Sequence, residues 1–361
     1  MLLGLSESLP RLVETKYRAA KATHSLIFSS TELAIIRTSA GIPVSSSACL
    51  IYLLLLIVLM QPQFQLRYCP ALAKKPVVAS KDNPPETKRR DVFENPSADL
   101  LIADIPSTNP SHILVLNKYP VIKEHFIIAT KTNKQQTHVL EEDDLEATYA
   151  CLKAWREAHG PQKRLFAFFN SGEHSGASQP HRHLQFLPVD SMRDGEQSNG
   201  WELLIDLILA DKPRPSGLLQ HSAVPFAHFA FHFPPEPTGP QLHKIYTDLY
   251  QLAKTAVDDF ISSNPNSFTL HATDEGASPI SYNLAMTTTG MAICPRRSEG
   301  SMLRRDEGSD IGFVALNGTV LGGTLMVKYQ EEWDVLRSQP EKLDSILESI
   351  GIPTIKQTHN L

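Results

Sequence analysis

The sequence predicts an α+β protein built on antiparallel sheet, and three observations carry that reading. Two β-like runs, HILVLNK (112–118) and HFIIAT (125–130), are separated only by YPVIKE, a hairpin-like connection. A helical period follows in LEEDDLEATYACLKAWREAHG (140–160). Two further β-like runs, RLFAFFN (164–170) and HRHLQFLP (181–188), come after that helix.

The elements follow in order. Residues 78–98 are polar and proline-rich, hence a loop. In the helix, Leu145, Tyr149, Leu152 and Trp155 recur at helical steps, acids crowd the start and Gly160 follows the end. Residues 189–217 are loop-rich around a short apolar helix, WELLIDLILA (201–210), and DKPRPSG (211–217) reads as a linker. The stretch 242–263 carries Leu242, Ile245, Leu249, Leu252, Ala256 and Phe260 on one helical face. SFTLHAT (267–273), SYNLAMTT (281–288) and MAICPR (291–296) read as strands. A small-residue-rich stretch (313–328) precedes two short helices, EEWDVLR and EKLDSILESI. No internal repeat is visible. The expected organisation is an N-terminal unit of 1–43 and 64–210, the linker 211–217, and a C-terminal α+β unit, 218–361.

The 361 residues are 42% hydrophobic and 20% charged, enough for one large or two medium domains. The net charge of −5 gives no basic excess for nucleic acid, so an anionic small substrate needs a local basic site. Cys49, Cys69, Cys151 and Cys294 lie far apart, suggesting reduced thiols and neither a zinc site nor a disulfide framework. The cytoplasm is the expected compartment, with the nucleus as a second.

One segment fits poorly. Ala48 to Met60 (ACLIYLLLLIVLM) is apolar but shorter than the ~20 residues that cross a bilayer. It lacks the basic n-region and cleavage site of a signal peptide. Its flanks read as ordinary folded chain, so 44–63 is expected to be an insert. Valine codons begin GT and CAG encodes glutamine, so a translated intron would run from Val44 to Gln63 in frame. A membrane anchor is the alternative reading.

The chemistry concentrates in Asn170 to Gln185, NSGEHSGASQPHRHLQ. Strand alternation puts His181, His183 and Gln185 on one face. Such a pair of histidines can bind a metal if a third ligand joins, or act as nucleophile and neighbour. Upstream, glycines let the backbone approach an anion, while N–H groups and serine hydroxyls can hold phosphate oxygens. Together these form a phosphate cradle beside a nucleophile. His174 lies in that loop, within reach of phosphate. His125 reads as scaffold, and His228 and His232 as structural.

This segment resembles the transferase branch of the histidine-triad superfamily, in which glutamine replaces the last histidine of H-x-H-x-H. Within the branch it is similar to the Ap4A (diadenosine tetraphosphate) phosphorylases. PALAKKP (70–76), LNKYPVIKEHFIIAT (116–130), SYNLAMTTTGMAICPRR (281–297) and SIGIP (349–353) add to the resemblance, which covers about 30–43 and 64–355. It implies a histidine-triad-like antiparallel sheet with flanking helices and a C-terminal α+β domain completing the nucleotide site. The implied reaction is Ap4A plus phosphate giving ATP and ADP through AMP held on His183, with ADP plus sulfate as a side activity.

His183 is the implied nucleophile, a backbone carbonyl fixing its tautomer. His181 orients it, and Gln185 donates to phosphate without titrating. Implied substrate contacts are Lys75, Asn117, Lys118, Asn170, Ser175, Gly176, Ala177, Ser178 and Gln179. From the C-terminal unit, Ser281, Asn283, Met291 and Arg296 would line the distal nucleotide. No tightly bound cofactor is expected and no metal ligand set is visible; if a divalent cation is needed, Mg or Mn comes with the polyphosphate. Expected partners are dinucleoside polyphosphates, ATP, ADP and phosphate, with no nucleic acid and no membrane unless 48–60 is an anchor. A sugar-phosphate uridylyltransferase shares the His-x-His-x-Gln logic, though HRH stands here where those enzymes usually have HPH. A dinucleotide sensor without turnover would form no phosphohistidine.

Overall fold

The computed structural model describes residues 3–38, 61–74, 91–193, 195–271, 273 and 276–353. Lys75 and the apolar run 48–60 lie outside them. Among the described residues no helix is long and apolar enough to cross a membrane.

Helix α1 (Leu9–Ala22) leads to β1 (Glu32–Arg37) and β2 (Gln63–Tyr68), then β3 (Leu101–Ile105), β4 (His112–Leu116) and β5 (Phe126–Thr130). Helix α2 (Glu142–His159) precedes β6 (Leu165–Ser171) and β7 (His183–Pro188). After α3 (Leu204–Leu209), β8 (Phe229–His232) and α4 (Gly239–Ser263) come β9 (Ser281–Met286) and β10 (Gly290–Arg296). The hairpin β11 (Gly300–Arg304) and β12 (Asp310–Ala315), β13 (Thr324–Val327), α5 (Gln330–Ser338) and α6 (Glu341–Ile350) complete the chain.

One eight-stranded sheet, ordered β3-β4-β5-β7-β6-β9-β10-β8, forms the centre, and all its pairings are antiparallel. It runs without a break across the expected linker, because β9 pairs with β6, Asn170 opposite Asn283. A smaller sheet, β1-β2-β13, joins the two ends of the chain: β13 lies parallel to β2. Gln63, the last residue of the expected insert, belongs to β2 and pairs with Arg37; residues 44–60 of the insert lie outside the described residues.

Side-chain alternation divides the large sheet. Leu184, Phe186, Phe169, Leu284 and Met291 face helices α1, α2 and α4 in one core. Phe166, Phe168, Leu187, Ala285 and Cys294 face the small sheet and α3 in a second core. His183 and Gln185 lie on that second face, since they alternate with Leu184 and Phe186.

Two expectations need correction. SFTLHAT is not a strand among its described residues: both edges of β9 are already taken by β6 and β10, and Leu270 is 40% exposed. The buried stripe of α4 is also rotated from that expected. Leu242, Tyr246, Leu249, Ala253 and Val257 are buried, while Ile245, Leu252, Ala256 and Phe260 flank them. Tyr246 sets that rotation, since its hydroxyl meets the Tyr282 hydroxyl at 2.7 Å and accepts from the Leu140 N–H.

Candidate active site

Strand β7 and the residues before it present His181, His183 and Gln185 to one face, and Arg182, Leu184 and Phe186 to the other, as their alternation predicts. At the site the β6–β7 ladder opens. Gln136 fills the gap: its amide oxygen accepts from the His183 N–H at 2.8 Å, and its NH2 donates to the carbonyls of Asn170 (2.7 Å) and His183 (3.2 Å). One buried side chain thus fixes the strand of His183 and the root of the loop that follows β6.

His183 is 2% exposed. Its Nδ1–H donates to the carbonyl of His181 at 2.8 Å, which leaves Nε2 with a lone pair. Burial pushes the imidazole down from 6.5 to about 4; the hydrogen bond to His181 opposes this shift and the nearby His181 ring adds to it. At neutral pH its imidazole is therefore uncharged, with the lone pair on Nε2.

His181 is gripped from two sides. Its Nδ1 lies 2.7 Å from Asp91 Oδ2 and its Nε2 lies 2.8 Å from the Thr130 carbonyl. Asp91 is held ionised: burial would raise its carboxyl, but the Phe93 N–H, His181 and Asn133 together lower it. Phe93 then lies over both histidines, its ring 5.5 Å from His181 and 5.1 Å from His183.

Gln185 is oriented by a third histidine. His125 Nε2 lies 3.0 Å from Gln185 Oε1, and its Nδ1 lies 3.0 Å from the Asn117 amide nitrogen. Asn117 donates to Nδ1, so Nε2 carries the proton and the Gln185 oxygen accepts it. That leaves the Gln185 NH2 for the site.

The loop after β6 is a tight, glycine-dependent structure. Gly172 has φ +84°, and a Cβ there would sit 2.3 Å from Ser281 Oγ and 2.9 Å from Ser281 Cα. Ser175 is buried and bonds back to the Gly172 carbonyl at 2.6 Å. Gly176 (φ +76°) packs on Asn317. Beyond it Ala177 and Ser178 are exposed and Gln179 is half-buried. Among the described residues no hydrogen bond engages the backbone N–H groups of 176–179, which leaves them as donors. A Gly172→Ala variant is expected to lose about 1–3 kcal/mol of stability and most activity. Thermal melting and turnover check both, and an unchanged melting temperature would contradict the packing described.

The remaining residues separate. Asn170 and Asn283 meet below the loop: Asn283 donates to Asn170 Oδ1 and to the Ser175 carbonyl, both at 2.9 Å. Ser281 receives the His174 N–H at 3.1 Å. Lys118 is exposed, over the Tyr119 ring. Met291 is a correction, because alternation along β10 turns it to the helix-covered face, opposite the histidines. Arg296 is another. It is buried and spends its guanidinium on Asn283 Oδ1 and the carbonyls of Ser298, Glu299, Leu316 and Ile350. Sequence reasoning missed Asp91, Phe93 and Gln136 and took His125 for scaffold; no local motif marks any of them.

A neutral buried histidine on an antiparallel sheet, beneath a glycine-serine loop with free N–H groups, is the site of a nucleotidyltransferase. The comparisons with known proteins agree. Residues 57–204 match the Ap4A phosphorylase N-terminal domain and 222–353 the ATP adenylyltransferase C-terminal domain. Diadenosine 5',5'''-P1,P4-tetraphosphate phosphorylase 2 of Saccharomyces cerevisiae is 28% identical over 300 residues, 81% of this chain and 84% of its own length. Protein APA1 of the same yeast is 28% identical over 361 residues, 97% of this chain and 96% of its own. The crystal structure of yeast Ap4A phosphorylase Apa2 shares the fold at TM-score 0.71 and 22% identity, covering 97% of this chain and 99% of that one. The same protein in complex with Ap4A gives 0.70 and 23% over the same shares. The chain belongs to the Ap4A phosphorylase (ATP adenylyltransferase) family.

Proposed function

We propose that this protein is an Ap4A phosphorylase, converting Ap4A and phosphate to ATP and ADP through AMP bound to His183. The observation that carries this is the neutral His183 imidazole, whose proton sits on Nδ1 and whose Nε2 is free. A neutral nitrogen attacks an anionic phosphoanhydride without charge repulsion and makes a phosphoramidate that splits one hard step into two. Nε2 bonds to the α-phosphorus of one adenosine, the bond to the bridging oxygen breaks, and ATP departs. Phosphate then attacks the same phosphorus, releases ADP and returns the electron pair to Nε2. Sulfate attacking the adenylyl group derived from ADP would give adenylyl sulfate.

In this reading the N–H groups of Gly176, Ala177, Ser178 and Gln179 and the Ser178 hydroxyl hold phosphate oxygens, and Lys118 attracts the polyphosphate. Mg or Mn would accompany the substrate in the cytoplasm or nucleus. The Gln185 NH2 donates to the transferring phosphoryl group, and His125 positions it. A His125→Phe variant lets that amide rotate, so turnover is expected to fall about 10²-fold with KM nearly unchanged. His125→Gln, which keeps a donor, should recover part of the loss. A KM effect as large as the kcat effect would refute this role.

The direct experiment is intact mass of the protein with Ap4A and no phosphate. One adenylyl group should appear on the wild type and leave as ADP when phosphate is added. Ap4A bound without an adduct would overturn the covalent reading.

A further inference from the structure

Glu173 and His174 lie in the loop after β6, and His271 lies in the segment after α4, about a hundred residues away in sequence. The fold brings them together. Glu173 Oε1 stands 3.6 Å from His174 Nε2 and 3.5 Å from His271 Nδ1, and all three atoms fall within 4.8 Å of one another. Both separations exceed a good N–H···O bond. They are close to the ~3.4 Å between neighbouring donors in a tetrahedral zinc site with bonds of ~2.0–2.1 Å.

Outer contacts fit the same role. His271 Nε2 lies 2.7 Å from Ser281 Oγ, and that oxygen also receives the His174 N–H. A metal-bound histidine uses its second nitrogen in this way, to fix ring and tautomer. The three side chains are 44%, 29% and 21% exposed, so a cation can reach them from solvent. Two imidazoles and one carboxylate suit a borderline cation such as zinc better than magnesium. Among the described residues a second grouping of donors, His112, Asp143 and Asp144, is closed instead by Arg182.

We propose that Glu173, His174 and His271 bind a zinc-class divalent cation, which pins the loop above the nucleophile to the segment 264–271. None of the three residues belongs to the strand that carries His183. The site requires neither Ap4A chemistry nor a cation carried by substrate.

The test strips the full chain with chelator and titrates it with Co²⁺, reading visible absorption, and with Zn²⁺, reading binding heat. One equivalent should bind the wild type, give a tetrahedral cobalt spectrum and raise the melting temperature. Affinity should fall at least ~10-fold in His271→Ala and also in Glu173→Gln, an exposed loop change that spares the core. Absence of a cobalt spectrum in the folded wild type would overturn the site, and so would variants that bind as the wild type does. Loss of affinity in both folded variants would establish it.

Discussion

Replacing His183 by alanine is expected to reduce Ap4A phosphorolysis by about 10⁴-fold or more, with no adenylyl adduct formed. In the proposed mechanism neither neighbour on the same face can replace His183. His181 is tied to Asp91 and the Thr130 carbonyl, and Gln185 is an amide. Steady-state kinetics together with intact mass check this. Retained adduct formation in the variant would move the nucleophile to another residue.

The same histidine sets a pH dependence. Turnover needs the neutral imidazole, so kcat/KM should stay level from pH 8 to about 5 and fall as pH drops through about 4, not through 6.5. Folding is linked to the same proton. Between pH 6.5 and about 4 the unfolded chain binds a proton at His183 that the folded chain refuses, so its contribution is complete above 6.5 and is lost as pH falls through that window. His228, also buried and lowered to about 4, acts in the same direction. Each is worth about 3 kcal/mol at the acid end. His183→Ala should therefore be less sensitive to acid than the wild type in denaturant titrations at pH 7 and pH 5.

The reach of the sequence follows from where each signal resides. β4, β5, β6 and β7 were legible because apolar runs with turn residues between them report local preference, and α2 because its period, acidic start and Gly160 agree. β1, β2 and β13 were not: β13 earns its place only by lying parallel to β2, a pairing across most of the chain. The face shared by His181, His183 and Gln185 follows from a period of two within one strand. Gln136, Asp91 and His125 act on those residues from distant positions, across strands and loops, and no spacing in the sequence records such a contact. Arg296 misled for a related reason. The resemblance placed it beside the distal nucleotide, but here its guanidinium is consumed by carbonyls at the junction of β10, the β11–β12 hairpin and α6.

Asp144→Asn is expected to destabilise the protein by about 3–5 kcal/mol. Directly behind the nucleophile, on the opposite face of β7, Arg182 is 2% exposed and its NH1 lies 2.8 Å from Asp144 Oδ2. Asp144 is itself fully buried. Burial would raise its carboxyl, but the His112 hydrogen bond and the Arg182 charge outweigh this and hold it ionised. It also accepts the Glu141 N–H at 2.9 Å, so one carboxylate caps α2, pairs the arginine and anchors His112 at 3.0 Å. Glu141 offers Arg182 a second oxygen at 2.8 Å, but its side chain is 52% exposed and screened by water, so it does not replace the buried partner. Without Asp144 the Arg182 guanidinium stays charged in an apolar layer, and the strand carrying His183 must move to hydrate it. Urea unfolding of Asp144→Asn, Arg182→Met and the double variant separates the effects. The double variant should regain much of the loss, because it removes the stranded charge. An unchanged unfolding midpoint in Asp144→Asn would mean that this ion pair does not hold the strand.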